Sequence, residues 1–207
     1  MVRYTTIMLI NKGFSPKRDP GDKSRIPPGQ YKTDDFPVLS LGPTPHVDTK
    51  DWSLRLEGLV EKPQKWNWDE FAKLPHEDVV RDIHCVTKWS KLDSRWRGVS
   101  LDYLIKEVWV KSEAKFLIAY SDDGYITNIP LEDIVGGKAW IATSYDDDAI
   151  TDEHGGPARL LIPHLYFWKS AKWVAKLEFV EKDAPGFWEV RGYHNHGDPW
   201  KEERYSG

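Results

Sequence analysis

The sequence predicts an α+β domain: mixed, mainly antiparallel β-structure with short, scattered helices. Three observations lead there. Stretches of alternating apolar and polar residues recur along the chain, which is the period of half-buried strands. Helix signals are confined to two short stretches. No strand–helix unit repeats at the length that a parallel sheet needs.

The elements follow in order. Residues 11–51 are rich in Pro, Gly, Lys and Asp, punctuated by the turn signals Asp19-Pro20-Gly21-Asp22 and Ile26-Pro27-Pro28-Gly29. This reads as an extended arm lying on a core, with Phe36-Pro37-Val38-Leu39-Ser40-Leu41 as its apolar anchor. The arm is assigned to residues 1–35 and the domain to 36–207. Trp52, Leu54 and Leu56 alternate with Ser53, Arg55 and Glu57 as a strand. Asn67 caps a short helix over 68–74, with Asp69 and Glu70 in its first turn. Residues 78–85 form a strand ending on Cys85. Ser100 caps a second helix that lines Leu101, Leu104, Ile105 and Val108 on one face. A strand over 115–121 turns at Asp122-Asp123-Gly124 into another over 125–129. Strands follow at 139–145 and 158–162. In 172–180, Trp173, Ala175, Leu177 and Phe179 face one way. The tail from Asp183, with Trp188, Tyr193 and Trp200, reads as a docked C-terminal segment.

Composition narrows the function. The 207 residues are 40% hydrophobic and 30% charged, which excludes a disordered chain, a collagen-like repeat and a coiled coil. No run of about 18 uncharged apolar residues exists, so no membrane span is expected. Lys+Arg 29 against Asp+Glu 33 gives a net charge of -4, which argues against a nucleic-acid surface. The N-terminal apolar run, residues 1–10, lacks the pattern of a secretion signal, and a cytoplasmic location is expected. The single cysteine excludes an intrachain disulfide and a four-thiolate zinc site.

Cys85 can act as a nucleophile, as a single metal ligand, or as a small buried hydrophobe. The nearby cations Arg81, Lys88, Lys91 and Arg95 would favour its reactive thiolate. A second group is His154-Gly155-Gly156-Pro157-Ala158-Arg159, where paired glycines let backbone approach a ligand. A third is Trp168-Lys169-Ser170-Ala171-Lys172-Trp173. Arg159, Lys169 and Lys172 sit among residues fit for burial, so an anion such as phosphate would satisfy them; exposed strand positions are the plainer reading. His194-Asn195-His196 superficially suggests a nuclease or zinc site, or a Cys85/His194/Asn195 triad, but the accompanying signatures are absent. No Walker or Rossmann phosphate loop is present.

Four segments together resemble the molybdopterin-binding domain of the sulfite oxidase family. They are Phe36-Pro37-Val38-Leu39 through Val47-Asp48 and Trp52; Asp82-Ile83-His84-Cys85-Val86-Thr87-Lys88-Trp89-Ser90 with Trp96-Arg97-Gly98-Val99; His154 through Arg159 to Pro163; and Trp168 through Trp173, ending in Gly192-Tyr193-His194-Asn195. The match spans about residues 36–200. It is nearest to the small bacterial and archaeal members, which include the protein-methionine-sulfoxide reductase branch.

The resemblance implies a mixed α+β fold and a molybdenum-molybdopterin cofactor without haem. Cys85 matches the protein thiolate that ligates the metal. His154, Arg159, Ser170, Ala171 and Lys172 fall where the family grips the pterin and its phosphate. Ser121 falls near another contact, and Leu39 and Ser40 near one made through backbone amides. His84 is a candidate residue behind the ligand or in the substrate pocket, although on a strand it points away from Cys85. Trp89 and Trp168 are candidate pocket walls. The implied activity is two-electron oxygen-atom transfer on a small oxo-anion, S-oxide or N-oxide, with a separate electron-transfer partner and no nucleic acid. Two alternatives stay open: a non-catalytic ligand-binding module built on the eleven tryptophans, and a cysteine hydrolase.

Overall fold

The computed structural model describes residues 22–40 and 42–206; readings that fall on residues 1–21 and on Leu41 lie outside these. In chain order the strands are β1 (Tyr31–Lys32), β2 (Ser53–Gly58), β3 (Gln64–Asn67), β4 (His76–His84), β5 (Trp89–Ser100), β6 (Phe116–Ser121), β7 (Ile126–Pro130), β8 (Trp140–Tyr145), β9 (Asp148–Ala149), β10 (Arg159–Leu161) and β11 (Val174–Val180). Two α-helices intervene, α1 (Trp68–Phe71) and α2 (Leu101–Val108). One sheet runs β1-β5-β8-β10, with β4 on β5 and β9 on β8; the other runs β3-β2-β11-β6-β7. All pairings are antiparallel except β1 with β5 and β2 with β11. The α+β class expected from the sequence is the one observed.

Local chemistry explains the elements that were foreseen. Asn67 and Glu70 form a reciprocal capping box on α1, with both bonds at 2.9 Å, a device that contributes about 1 kcal/mol. The helix stops at Phe71, one turn short of the expectation. Ser100 caps α2, which buries Leu101, Leu104 and Val108.

Two strands depart from their sequence reading. The longest, β5, was not foreseen. Its inward residues include Ser94, Trp96 and Gly98, so its inner face carries little apolar signal. Gly98 is required there, because a Cβ would strike the Ile141 carbonyl of β8. In β11 a register shift between Val174 and Lys176 breaks the alternation expected of Trp173 and Ala175. Val174 turns inward instead, ahead of the buried Leu177 and Phe179.

Two cores result. One is mainly aliphatic and includes Leu54, Leu56, Leu104, Leu117, Leu160 and Leu177. The other is aromatic, built on Trp89, Trp96, Trp140, Tyr166 and Phe167, and it contains Cys85. The arm lies along the second: Ile26 is buried, and Arg25 forks onto Asp82 at 2.9 and 2.6 Å.

The tail docks as expected. Tyr193 bridges to Tyr205, and the Tyr166 amide donates to the Gly197 carbonyl. His196 joins Asp133 at 3.0 Å through Nε2 and Glu203 at 2.9 Å through Nδ1. Two carboxylate partners require both ring nitrogens to carry protons, and the Asp133 bond is the main cause of a raised pKa. A raised folded-state pKa gives stability that is complete at low pH and lost as pH rises through it. Tail docking should therefore weaken as pH rises through and above the ordinary imidazole range. Hydrogen exchange of tail amides over that range should show it; a slope identical in His196→Gln would sink the assignment.

Candidate active site

A cavity of about 340 Å³ opens where the arm, the loop after β4, the end of β6, the segments flanking β10 and the tail converge. Leu39, Ser40, Cys85, Ser121, His154, Arg159, Ser170, Ala171 and Lys172 all line it, as do Trp89 and Trp168. These residues span more than 130 positions of sequence, and the fold collects them around one space.

Cys85 sits at the start of a tight turn. Its amide donates to the Trp89 carbonyl and its carbonyl accepts from Lys88, both at 2.9 Å, with Lys88 at a left-handed φ of 79°. The Thr87 hydroxyl lies 3.2 Å from Sγ. Burial pushes the Cys85 thiol up; the Thr87 hydroxyl, the Thr87 and Val86 amides and the charge of Arg204 pull the other way. The turn is therefore a small cradle of donors around sulfur. The cations expected to favour the thiolate do not face it. Arg81 bonds the Val80 carbonyl and covers Trp140, Lys91 bonds the Asp34 carbonyl, Arg95 pairs with Asp147, and Lys88 is exposed. Arg204 takes their place.

Arg159 is 1% exposed. It donates to the His154 carbonyl at 2.7 Å and the Ser170 carbonyl at 2.8 Å, and its Nε has no partner. Burial brings its pKa down to about 9. Lys172 donates to the Leu39 and Glu153 carbonyls at 2.9 and 2.5 Å. Burial, then the neighbouring Arg159, brings it down to about 8. Among the described residues neither cation meets a carboxylate within ion-pair distance. His154 stacks on Phe36 with centroids 3.9 Å apart and holds the Phe36 carbonyl at 3.0 Å through Nε2. Burial lowers its pKa, so the ring is neutral with its proton on Nε2. Ser121 Oγ and Trp89 Nε1 are also buried on the cavity without partners.

Several expectations are corrected. His84 does not reach the cavity: it is buried, bonded to Ser90 Oγ at 2.8 Å, and burial pulls its pKa down to about 4. Strand alternation turns it away from Cys85. Lys169 needs no outside anion, because it meets Glu189 at 2.6 Å and the Asn128 and Asn195 carbonyls. The paired glycines approach protein rather than ligand; at Gly155, with φ +99°, a Cβ would lie 2.7 Å from Lys172 Cβ. No Cys85/His194/Asn195 triad forms: His194 faces Glu203 at 3.4 Å and Asn195 binds Asp183 at 2.7 Å. The zinc reading has no support, since no cluster suited to a metal occurs among the described residues. Nor is there a tryptophan platform. Trp52, Trp89, Trp96, Trp140 and Trp173 are buried, and only Trp109 and Trp200 are largely exposed.

The sequence reading also missed residues. Thr87 was quoted only within a motif; its place two residues beyond Cys85 was a local signal. Arg204 carried none, being 119 positions from Cys85.

The unanswered N–H and O–H donors, the buried Arg159 and the half-buried Lys172 suit an anionic, acceptor-rich group. The lone thiol on the same cavity suits a soft metal. Molybdopterin with molybdenum has both characters, so the residues present fit it.

Comparison with known proteins agrees. The oxidoreductase molybdopterin binding domain model matches residues 41–188. An uncharacterized oxidoreductase of Bacillus subtilis (strain 168), YuiH, is 40% identical over 194 residues, covering 93% of this chain and 98% of that protein. The protein-methionine-sulfoxide reductase catalytic subunit MsrP of Campylobacter jejuni is 26% identical over 177 residues, covering 77% of this chain but only 59% of its own length. The solved sulfane dehydrogenase SoxCD from Paracoccus pantotrophus shares the fold, with TM-score 0.63 and 23% identity over 72% of this chain and 42% of that one. The chain belongs to the oxidoreductase molybdopterin-binding domain family, of the sulfite oxidase type, and is a molybdenum-cofactor-dependent oxidoreductase.

Proposed function

We propose that the protein performs two-electron oxygen-atom transfer on a small oxo-anion, S-oxide or N-oxide, with Cys85 as its ligand to molybdenum and a separate protein or carrier exchanging the electrons. One observation carries the reading: a single donor-cradled thiol and two cations without carboxylate partners open onto the same cavity. The methionine-sulfoxide reductases among the relatives favour an S-oxide.

When bound, the cofactor supplies a metal that changes oxidation state while oxygen is gained or lost. The chain supplies the rest. Arg159 and Lys172 hold the phosphate, Arg159 with its orphaned Nε and Lys172 as a point charge. Ser121, Ser170 and Ala171 contact the pterin, and His154 does so as a neutral ring. Leu39 and Ser40 close that end from the arm. The Cys85 turn presents sulfur in one direction, with three donors that favour its charged form. Trp89, Trp168 and Trp173 wall the cavity with ring surface, which limits water around the developing charge.

Three measurements follow. Cys85→Ala, produced in a host that makes the cofactor, should lose turnover and show an altered metal spectrum; unchanged activity and spectrum would remove Cys85 from the mechanism. Arg159→Met should retain roughly 10- to 100-fold less molybdenum, the loss expected for one charge-assisted bond of about 1.5–3 kcal/mol; full metal content would refute the phosphate role. Cofactor uptake by the empty protein should be level below pH about 8 and fall above it, because Lys172 binds an anion only when protonated and its pKa is near 8. A profile unchanged in Lys172→Met would contradict this.

A further inference from the structure

The Cys85 turn is held from behind by residues near opposite ends of the chain. The Gln30 side-chain amide donates to the Cys85 carbonyl at 3.0 Å and reaches the Trp89 carbonyl at 3.3 Å. The buried Arg204 guanidinium donates to the Val86 carbonyl at 2.8 Å, to the Pro28 carbonyl at 3.3 Å and to Gln30 Oε1 at 3.2 Å. It also lies over the Tyr166 ring, 5.0 Å from the centroid. Two side chains thus bind both ends of the turn and each other.

The surroundings are shaped for this clamp. Gly29 has a φ of +71°, and a Cβ there would lie 2.7 Å from Glu202 Oε1 and 3.2 Å from Arg204 Nη2. The tail is fixed beside it, because the His194 amide donates to the Arg204 carbonyl at 3.1 Å. The charge of Arg204 is barely answered: its carboxylate neighbour Glu202 is 4.0 Å away and its side chain is half exposed. A guanidinium buried behind a metal-binding turn, with carbonyls as its main partners, projects its field toward the sulfur.

We propose that Gln30 and Arg204 are positioning residues for the metal ligand: together they fix the Cys85 turn, and the Arg204 charge raises the reduction potential of the bound metal. This rests on the reading of Cys85 as that ligand. The sign follows from Coulomb's law. The reduced metal is the more negative state, so a nearby positive charge stabilises it and moves the potential upward. Fixing the turn is a separate effect, shared by a neutral residue, and the two can be separated.

The test uses the full chain. In molybdenum-loaded protein, Arg204→Met should lower the metal's reduction potential. Arg204→Lys should bring it back toward the wild-type value, although it loses the forked geometry. A wild-type potential in Arg204→Met, or equal shifts in both variants, overturns the electrostatic role. Gln30→Ala removes an anchor and no charge. In the cofactor-free chain it should speed alkylation of Cys85 by iodoacetamide about tenfold at constant pH, as the loss of roughly one hydrogen bond predicts. A wild-type rate overturns the clamp, and this arm decides alone should Arg204→Met fail to take up metal. Cys85→Ala distinguishes the levels. An unaltered metal spectrum there defeats the ligand reading itself. An altered one, beside an unshifted Arg204→Met, defeats only the present inference.

Discussion

The arrangement depends on the buried guanidinium of Arg159, which meets no carboxylate among the described residues. Removing an ion from water costs several kcal/mol even after the protein relaxes. Arg159 recovers part of that through its two carbonyl bonds, each contributing about 1.5–3 kcal/mol because the donor is charged. The two terms are of similar size, so the buried guanidinium is tolerated while its Nε still lacks a partner. Lys172 repeats the pattern beside it with two further carbonyls. An anion placed against both would add attraction without a further desolvation of the protein. Affinity for an anion is thus already built into the folded chain.

The same carbonyls explain why the arm belongs to the site. Phe36 and Leu39 offer their carbonyl oxygens to His154 and Lys172, while the Phe36 ring stacks on the imidazole. A segment with little regular structure is therefore ordered by His154 and Lys172, two side chains that line the cavity. β1 adds to this by pairing Tyr31 and Lys32 with Trp89 and Ser90, next to the Cys85 turn. The arm consequently lines the cavity through Phe36, Pro37, Leu39 and Ser40 and reaches the back of the Cys85 turn through Gln30.

What the sequence made legible follows from where each signal resides. Capping and alternation are local, so α1, α2, β2 and the β6–β7 hairpin could be read directly from Asn67, Ser100 and the turn at 122–124. The inner face of β5 uses Ser94 and Gly98, chosen for space between strands, and space between strands is not a local property. The site divides in the same way. Its lining residues were found because they lie in motifs with a recognisable order. His84 was chosen for its nearness in sequence to Cys85 yet does not line the cavity, and the flanking cations were chosen on the same ground yet do not face the thiol. Arg204 and Gln30, which do reach that turn, could not be found by proximity along the chain.

The position of Cys85 reconciles two opposing demands. Were the thiol exposed, it would ionise near its ordinary value but would also be open to oxidation and to exchange with other thiols. Buried, it is protected, but the charged form that binds metal is disfavoured. The turn answers the second problem with directed donors rather than with water: the Thr87 hydroxyl, two amides, and Arg204 at longer range. Donors that cannot leave give the sulfur a fixed environment, so dipoles already oriented by the fold reduce the cost of ionising it, although burial still outweighs them. A soft cation on the sulfur would supply the charge that the donors only approximate. One cysteine in 207 residues would be sufficient for the proposed ligation, because the other ligands would come with the cofactor and not from the chain.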